Sequence, residues 1–187
     1  MIFVKRCPAR FSFVLSSPIR KWLLQPARVV RSLGVDQTDR VLDLGAGSGV
    51  VSEYVLNTLP NARLVLVDAQ LSMLVQARKR VRRHSTRALL ANAVAEALPF
   101  PNGSFDAVLM VTVLGEVDNV IHALREVHRV LRPGGIFSVT EHLPDPDFRS
   151  ISAVRRLLAD SGFRERNLTG NRWSYTLSAT RVGQFAA

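Results

Sequence analysis

The stretch VLDLGAGSGV, residues 41–50, places three glycines within five positions directly after an apolar run that contains one acid, Asp43. The apolar run predicts a buried strand over Val41–Leu44, and the glycines permit a tight turn where side chains would obstruct the backbone. A dinucleotide-binding GxGxxG turn would need its third glycine at position 50, where this chain has Val50. The spacing therefore favours a different nucleoside ligand.

Downstream of the turn, short apolar runs alternate with stretches of helical periodicity. The apolar runs predict strands at Leu64–Val67, Ala88–Ala93, Asp106–Val113, Ile136–Glu141, and near Phe163–Leu168 and Trp173–Arg181. The first predicted helix runs from the glycine turn through about Leu59. The inner faces of the next three are predicted to carry Leu71, Leu74, Val75 and Val81; then Val120, Leu124, Val127 and Leu131; then Ile151, Val154, Leu157 and Leu158.

Four local signals bound the later helices. Asp118 and Ser150 are predicted N-caps, while Arg132-Pro-Gly-Gly and Gly162 are predicted stops. Alternation of strands and helices with short connections predicts an α/β fold: a doubly wound, mostly parallel sheet with helices on both faces. The last two strands are predicted to form a C-terminal antiparallel hairpin at or near one edge of the sheet.

Composition bounds the class of protein. The 187 residues, 47% of them hydrophobic, suit one globular domain, and no apolar run approaches the roughly 18 residues that cross a bilayer. The single cysteine, Cys7, excludes an internal disulfide and predicts a reducing, cytoplasmic location. No His, Cys and Asp residues have metal-ligand spacing, so no metal site is predicted.

The net charge of +10 is unevenly distributed along the chain. No acid precedes Asp36, and a second acid-free interval, between Asp68 and Glu96, holds Arg78, Lys79, Arg80, Arg82, Arg83 and Arg87. The basic start resembles an organellar transit peptide, but no linker separates it from the first strand. We therefore expect residues 1–39 to form a basic and apolar helical segment that packs on the core or covers the site, and residues 40–187 to form the ligand-binding domain.

Ligands of doubly wound sheets bind beyond the carboxyl ends of the strands, where strand order reverses. This rule predicts that four segments lie together at the carboxyl end of the sheet: the turn at 45–49, Asp68 at the tip of the next strand, the loop at 93–100, and residues 111–116 after the fourth strand. A carboxylate at Asp68 can accept hydrogen bonds from two ribose hydroxyls. The anion at Asp43 suits a ligand with a cationic group such as an ammonium.

Four quoted motifs carry a family resemblance: VLDLGAGSGV, LVLVDAQ, AEALPFPNGSFDAVLMVTVLGEV and ALREVHRVLRPGGIFSVTE. They resemble the successive motifs of class I S-adenosylmethionine-dependent methyltransferases, and most closely the type 11 branch, similar to quinone-biosynthesis C-methyltransferases. The resemblance covers roughly residues 40 to 181 and implies a Rossmann-like methyltransferase fold. The N-terminal segment also resembles a compact subgroup of unassigned substrate.

The resemblance implies S-adenosyl-L-methionine as cofactor and a residue set that holds it. The turn would hold the methionine part, Asp68 the ribose, the loop the base, and the end of the fourth strand the sulfonium. One departure is Val94, where members of this branch commonly have an acid that contacts the adenine amino group. The implied cofactor-binding residues are Asp43, Leu44, Gly45, Ala46, Gly47, Gly49, Asp68, Ala69, Met73, Ala95, Glu96, Val111, Thr112 and Val113.

Glu116, Glu141 and His142 follow the fourth and fifth strands, and they are the candidates for a catalytic base or for orienting the acceptor. His84, His122 and His128 are predicted to face solvent. Transfer from a sulfonium needs a base only where the acceptor must lose a proton, because alignment supplies much of the rate.

Three functions stay open. The first is a methyltransferase acting on a small-molecule acceptor that is apolar or lipid-like, with peripheral membrane contact compatible with the basic N-terminus. The second is an RNA methyltransferase that uses the basic blocks as a phosphate track, which is less favoured because no aromatic residue interleaves with the second block. The third, motivated by Val94, is a binding protein without turnover. The sequence does not indicate the oligomeric state.

Overall fold

The structure, a computed structural model, describes residues 25–34 and 40–182. The rest of the expected N-terminal segment therefore lies outside the described residues. The elements are α1 (Pro26–Leu33), β1 (Arg40–Leu44), α2 (Val50–Thr58), β2 (Arg63–Asp68), α3 (Leu71–Arg80), β3 (Ala88–Asn92), β4 (Phe105–Val111), α4 (Val120–Val130), β5 (Leu131–His142), α5 (Ile151–Asp160), β6 (Phe163–Asn171) and β7 (Ser174–Arg181), with a short 3₁₀ turn at Arg82–His84.

These strands form one seven-stranded sheet in the order β3-β2-β1-β4-β5-β7-β6. The first five strands in space are parallel, while β7 pairs antiparallel with both β5 and β6. The chain leaves β1 toward β2 on one side and returns to β4 on the other, so strand order reverses between β1 and β4. The predicted doubly wound sheet with an antiparallel terminal hairpin is confirmed.

Each face of the sheet carries its own buried cluster. On one face, α1, α2 and α3 pack Val29, Val55 and Ala77 against the strands. On the other face, α4 and α5 pack Leu124 and Leu158 against a cluster that includes Phe137 and Tyr175. The strands are consequently buried on both sides, which is why β1 and β4 are continuous apolar runs rather than alternating ones.

The orientation of α3 corrects one sequence prediction. Leu71 and Val75 are 64% and 50% exposed, whereas Met73, Leu74 and Ala77 are buried. A Cβ at Gly49 would lie 3.1 Å from Ala77 Cα, so the glycine turn and the alanine allow close contact at this point. Apolar residues occur on two sides of this helix, and the tight contact with the turn decides which side is buried.

Three further predictions were wrong in detail. The N-cap of α4 is Asn119 rather than Asp118, because the Asn119 side chain accepts the His122 backbone N–H at 3.1 Å. Strand β5 begins at Leu131 rather than Ile136: Leu131 pairs with Phe105, and residues 132–135 bulge before pairing resumes. Strand β4 ends at Val111, two residues earlier than predicted, because Thr112 has a left-handed φ of 55°.

His128 is also corrected, because it is 5% exposed rather than solvent-facing. Its ring lies edge-on to the Phe163 ring with the centroids 5.5 Å apart. The helix face that buries Leu124 and Val127 includes position 128, one turn beyond Leu124, and β6 supplies the aromatic ring that covers it. Ser150 is confirmed as the N-cap of α5, since its hydroxyl accepts the Ala153 backbone N–H.

Candidate functional site

The glycine turn lies at the carboxyl edge of the sheet, between β1 and α2. Gly45, Gly47 and Gly49 all have positive φ, between 54° and 78°. The backbone N–H groups of Gly45 and Ala46 both donate to the Val67 carbonyl, at 2.8 and 2.9 Å, which ties the turn to the end of β2. A Cβ at Gly45 would lie 2.3 Å from Val113 Cγ2, so the loop after β4 packs directly on the turn.

Asp68, at the end of β2, joins this turn to the next strand. One carboxylate oxygen accepts the Gly47 backbone N–H and the other accepts that of Gln70, both at 2.8 Å. An ionised carboxylate offers about four lone-pair positions, so each oxygen keeps capacity for a further donor. Burial raises the pKa of Asp68, and the Gln70 and Gly47 N–H groups oppose that rise. The Asp68 carboxylate can therefore accept hydrogen bonds from two ligand hydroxyls.

A shallow cleft, open to solvent, lies against the turn. Its walls bring together residues from β1, the turn, α2 and the end of β4: Asp43, Gly45, Ala46, Gly47, Ser48, Val50, Val51 and Val111. A Cβ at Gly47 would meet no atom within 4 Å, so the missing side chain leaves space on the ligand side. Of the four segments predicted to meet at the ligand, the turn and Val111 line this cleft.

Asp43 is buried in the wall of this cleft, and its carboxylate accepts the Ser52 hydroxyl hydrogen bond. Burial raises the pKa of Asp43 to about 7, with Ser52 lowering it and Asp68 raising it further. A ligand cation placed beside Asp43 would favour its ionised form, so binding of an ammonium and loss of the Asp43 proton are coupled. Ser52, one turn into α2, is a partner that sequence reasoning missed.

Asp43→Asn is expected to stabilise the protein without ligand at pH 8 and above, by roughly a few kcal/mol. The folded-state pKa is raised, so the parent loses stability as pH increases from about 4 through 7, while the neutral amide does not. Urea unfolding at pH 4.5 and pH 8.5 measures the difference. Asp106→Asn is the control: Arg40 and Arg132 outweigh burial and lower the pKa of Asp106, so this variant should lose stability at pH 8.5. A pH-independent effect of Asp43→Asn would contradict the coupling.

The loop at 93–104 follows β3 at the same edge of the sheet, and α4 holds it in place. Glu96 accepts the Asn119 backbone N–H at 3.1 Å, and Glu126 accepts that of Leu98 at 2.7 Å. Arg129 pairs with Glu126 at 2.6 Å and donates to the carbonyls of Phe100 and Leu98. Glu96, expected beside the base, thus also anchors its own loop. The Glu126–Arg129 pair was not singled out although both residues lie in one of the quoted motifs, because the loop groups that it binds are far from it in the chain.

The remaining residues predicted to bind the ligand differ in burial and in location. Ala69 is half-buried next to Asp68, and the carbonyl of Asp68 accepts the Asn92 side-chain amide at 2.7 Å. Met73 is 5% exposed, and Ala95, within the loop, is 9% exposed. Leu44 packs in the core, while Thr112 and Val113 follow the end of β4, where Val113 packs against Gly45. Asn92, at the tip of β3, is a second contact that the sequence did not suggest.

The acceptor-side candidates separate into two groups. Glu116 is exposed in the loop after β4 and Glu141 is buried near the end of β5, close enough for Glu116 to raise the pKa of Glu141. His142 is the last residue of β5, and alternation along a strand places it on the opposite face of the sheet from Glu141. The three residues therefore do not form one cluster.

The second basic block is partly structural. Arg80 donates to the Ser48 carbonyl at 2.9 Å, behind the glycine turn. Arg87 donates to the carbonyls of Leu56, Leu59 and Ala62, each at 3.0 Å, at the end of α2. Two of the six cations thus hold the fold together, and Arg78, Lys79, Arg82 and Arg83 remain at the surface. No helix among residues 25–34 and 40–182 is long and apolar enough to cross a bilayer.

Comparison with known proteins adds the following findings. Residues 41–135 match the family model described as a methyltransferase domain. The chain is 36% identical over 107 residues to the demethylmenaquinone methyltransferase of Thermus thermophilus, covering 57% of this chain and 49% of that protein. It is 39% identical over 111 residues to a ubiquinone/menaquinone biosynthesis C-methyltransferase of Hahella chejuensis, covering 58% and 45%. The chain spans about half the length of the curated relatives it matches.

Solved structures share the fold. A SAM-dependent methyltransferase from Aquifex aeolicus superposes with a TM-score of 0.85 at 20% identity, covering 95% of this chain and all of that one. The [4+2]-cyclase SpnF superposes with a TM-score of 0.76 at 21% identity, covering 84% of this chain and 80% of that one. Since one of these is described as a cyclase, the fold alone does not define an activity.

Proposed function

The chain belongs to the methyltransferase domain family and has the S-adenosylmethionine-dependent methyltransferase fold, and from this premise we propose that it transfers a methyl group from S-adenosylmethionine to a small-molecule acceptor. The observation that carries the proposal is the cleft lined by the glycine turn, in which the Gly47 backbone N–H donates to the Asp68 carboxylate at 2.8 Å. The donor supplies an activated methyl group on a sulfonium when it is bound. The work left to the chain is to bind, align and exclude water, and alignment is worth roughly 7–11 kcal/mol in favourable cases.

The described residues fit that donor part by part. The carboxylate of Asp68 would accept the ribose hydroxyls, and Asp43 would face the ammonium of the methionine part. The positive φ values along the turn bring backbone rather than side chains against the donor. Ala69, Met73, Ala95 and Glu96 would border the base, and Val111–Val113 would lie near the reacting end. The loss of the acid at Val94, which is 37% exposed, is expected to weaken adenine recognition and not to abolish it.

For the acceptor we propose a quinone-type ring, because the curated relatives are described as demethylmenaquinone and ubiquinone/menaquinone biosynthesis methyltransferases. Val117 and Phe148, which pack on the buried Leu114 side of the core, provide partly exposed apolar surface near the end of β4, which suits such a ring. We propose that Glu116, Glu141 and His142 contribute on this side, with unequal roles because of their different placement. A cytoplasmic location is proposed from the lone Cys7.

A matched pair of glycine substitutions tests the donor site. Gly47 and Gly103 have similar φ values of +54° and +65°, and neither would bring a Cβ within 3.5 Å of another atom. Alanine at either position should cost about 1 kcal/mol of stability, because L-residues disfavour positive φ. Only at Gly47 would the new methyl group occupy the cleft, so we expect Gly47→Ala to weaken binding of S-adenosylmethionine at least tenfold and Gly103→Ala to leave it unchanged.

Isothermal titration calorimetry with S-adenosylmethionine and S-adenosylhomocysteine measures this directly. Transfer of labelled methyl to demethylmenaquinol then separates a methyltransferase from a protein that binds the donor without turnover. Equal donor affinity of the two alanine variants would place the donor elsewhere on the molecule. RNA binding that falls steeply with salt, and is lost when Arg78, Lys79, Arg82 and Arg83 are neutralised, would favour the RNA alternative.

A further inference from the structure

Glu141 is a buried carboxyl group that the proposed donor site does not use. It is the penultimate residue of β5 and 1% exposed. One carboxyl oxygen, Oε1, accepts no hydrogen bond from any residue in the described part of the chain. A buried carboxyl oxygen without a donor is costly, so a ligand hydroxyl directed at Oε1 would relieve that cost.

The surroundings of Glu141 combine charge with aromatic surface. The Arg149 backbone N–H donates to the carboxyl group, and Glu116 and Asp145 are the neighbouring acids. Tyr175, opposite Glu141 on β7, donates its hydroxyl to the Arg149 carbonyl at 2.6 Å and is therefore committed elsewhere. The Phe148 ring lies edge-on to the Tyr175 ring with the centroids 6.0 Å apart. A flat ring with one polar edge matches these neighbours.

Two loops cover Glu141. The loop after β4 and the loop after β5 meet where a Cβ at Gly115 would lie 2.0 Å from the Asp147 carbonyl oxygen. The glycine is what permits this contact. Glu141 lies at the carboxyl edge of the sheet, on the strand next to β4, and a ligand would reach Oε1 by separating these loops.

Resting on the proposed function, we propose that Glu141 is the acid–base residue of the acceptor side: its Oε1 binds a phenolic or enolic hydroxyl of the acceptor ring and takes that hydroxyl's proton. The O–H bond breaks, its electron pair stays on the ring oxygen, and the proton binds Oε1. The added electron density makes the neighbouring ring carbon the nucleophile: its bond to the methyl group would form as the donor's methyl–sulfur bond breaks, and that electron pair would stay on the sulfur. That carbon then loses its own hydrogen as a proton to water, and Glu141 returns the first proton to the oxygen, so the carboxylate is regenerated.

The charge state of Glu141 suits this cycle. Burial raises the pKa of Glu141 to about 8, with Asp145 and Glu116 raising it further and Arg149 lowering it. Burial raises the pKa of the neighbouring Tyr175, and the charge of Glu141 raises it further. A carboxyl group that ionises near neutral pH can both take and return a proton, which a permanently ionised one does poorly.

The test uses the full chain saturated with S-adenosylhomocysteine. The two stable probes are 1-naphthol, which has the hydroxyl proton that Glu141 is proposed to accept, and 1-methoxynaphthalene, which lacks it. We expect the parent to bind 1-naphthol about tenfold or more tightly than the ether, by the usual worth of a charge-assisted hydrogen bond. That preference should grow from about pH 6.5 to 8.5, because only the ionised carboxyl group is a pure acceptor.

Two variants and a control define the outcomes. Glu141→Leu should bind both probes alike, and Glu141→Gln should keep part of the preference but lose its pH dependence and the transfer of labelled methyl to demethylmenaquinol. Glu165→Gln, at an exposed pair with Arg155, should behave as the parent does. A preference that survives in Glu141→Leu, or that does not change with pH in the parent, overturns the inference alone. A parent that fails to bind S-adenosylhomocysteine overturns the proposed function and the inference together.

Discussion

Gly45→Ala is expected to lower the free energy of unfolding by roughly 2–5 kcal/mol, from the strain of positive φ together with overpacking. Gly45 has a φ of +78°, and its Cβ would lie 2.3 and 2.7 Å from the two γ-carbons of Val113. The valine cannot move aside easily, because it packs against the buried cluster on the α4–α5 face. Chemical denaturation in urea, with the unfolding free energy extrapolated to water, measures the loss.

Comparison with Gly103→Ala separates the steric part of that loss from the conformational part. Gly103 has a comparable φ of +65°, but its nearest neighbour to a Cβ, Arg132 Cα, is 3.8 Å away. It should therefore show the conformational cost of about 1 kcal/mol only. A double variant, Gly45→Ala with Val113→Ala, should recover part of the stability, because the clashing methyl groups are gone. Equal stability of the two single variants would mean that the loop after β4 does not pack on the turn as described.

Asp68→Asn is expected to weaken binding of S-adenosylmethionine by roughly 100-fold or more, since two charge-assisted hydrogen bonds to ribose are each worth about 1.5–3 kcal/mol. The amide keeps one acceptor oxygen for a backbone N–H but replaces the other with a donor, which opposes the Gly47 or the Gln70 N–H. The turn should loosen as well, and we expect a stability loss of about 1–2 kcal/mol. Calorimetry measures the first effect and urea unfolding the second.

Asp106→Asn is the matched control for this experiment. Its carboxylate also accepts a backbone N–H, from Arg40 at 2.8 Å, and it contacts Arg132 at 2.6 Å, but it lies at the start of β4, at the opposite edge of the sheet. This variant should lose stability and retain donor affinity. Should Asp68→Asn lose stability and yet bind the donor as the parent does, Asp68 would be a structural residue and the ribose site would lie elsewhere.

Many of the secondary-structure elements could be predicted from short-range sequence signals. The strand–turn–helix at 40–58, the cap at Ser150 and the terminal hairpin follow from apolar runs, glycines and a capping hydroxyl, each of which acts on its near neighbours. The acid at Asp68 could be paired with the turn because parallel strands bring their carboxyl ends to one edge. The errors at Asp118, Ile136 and Val113 are boundary errors: two adjacent residues offered similar caps, β5 took in a bulge, and the left-handed φ of Thr112 ended β4.

The sequence by itself determined the order of strands and helices, the position of the turn and the carboxylate that closes on it, because those depend on backbone sterics and on spacing along the chain. The tertiary structure alone decided which face of α3 is buried, that His128 lies under Phe163, that Ser52 holds Asp43, and that Glu141 keeps a carboxyl oxygen without a donor among the described residues. Each of these depends on partners far away in the chain. Burial and pKa are properties of the packed surroundings, which no local pattern encodes.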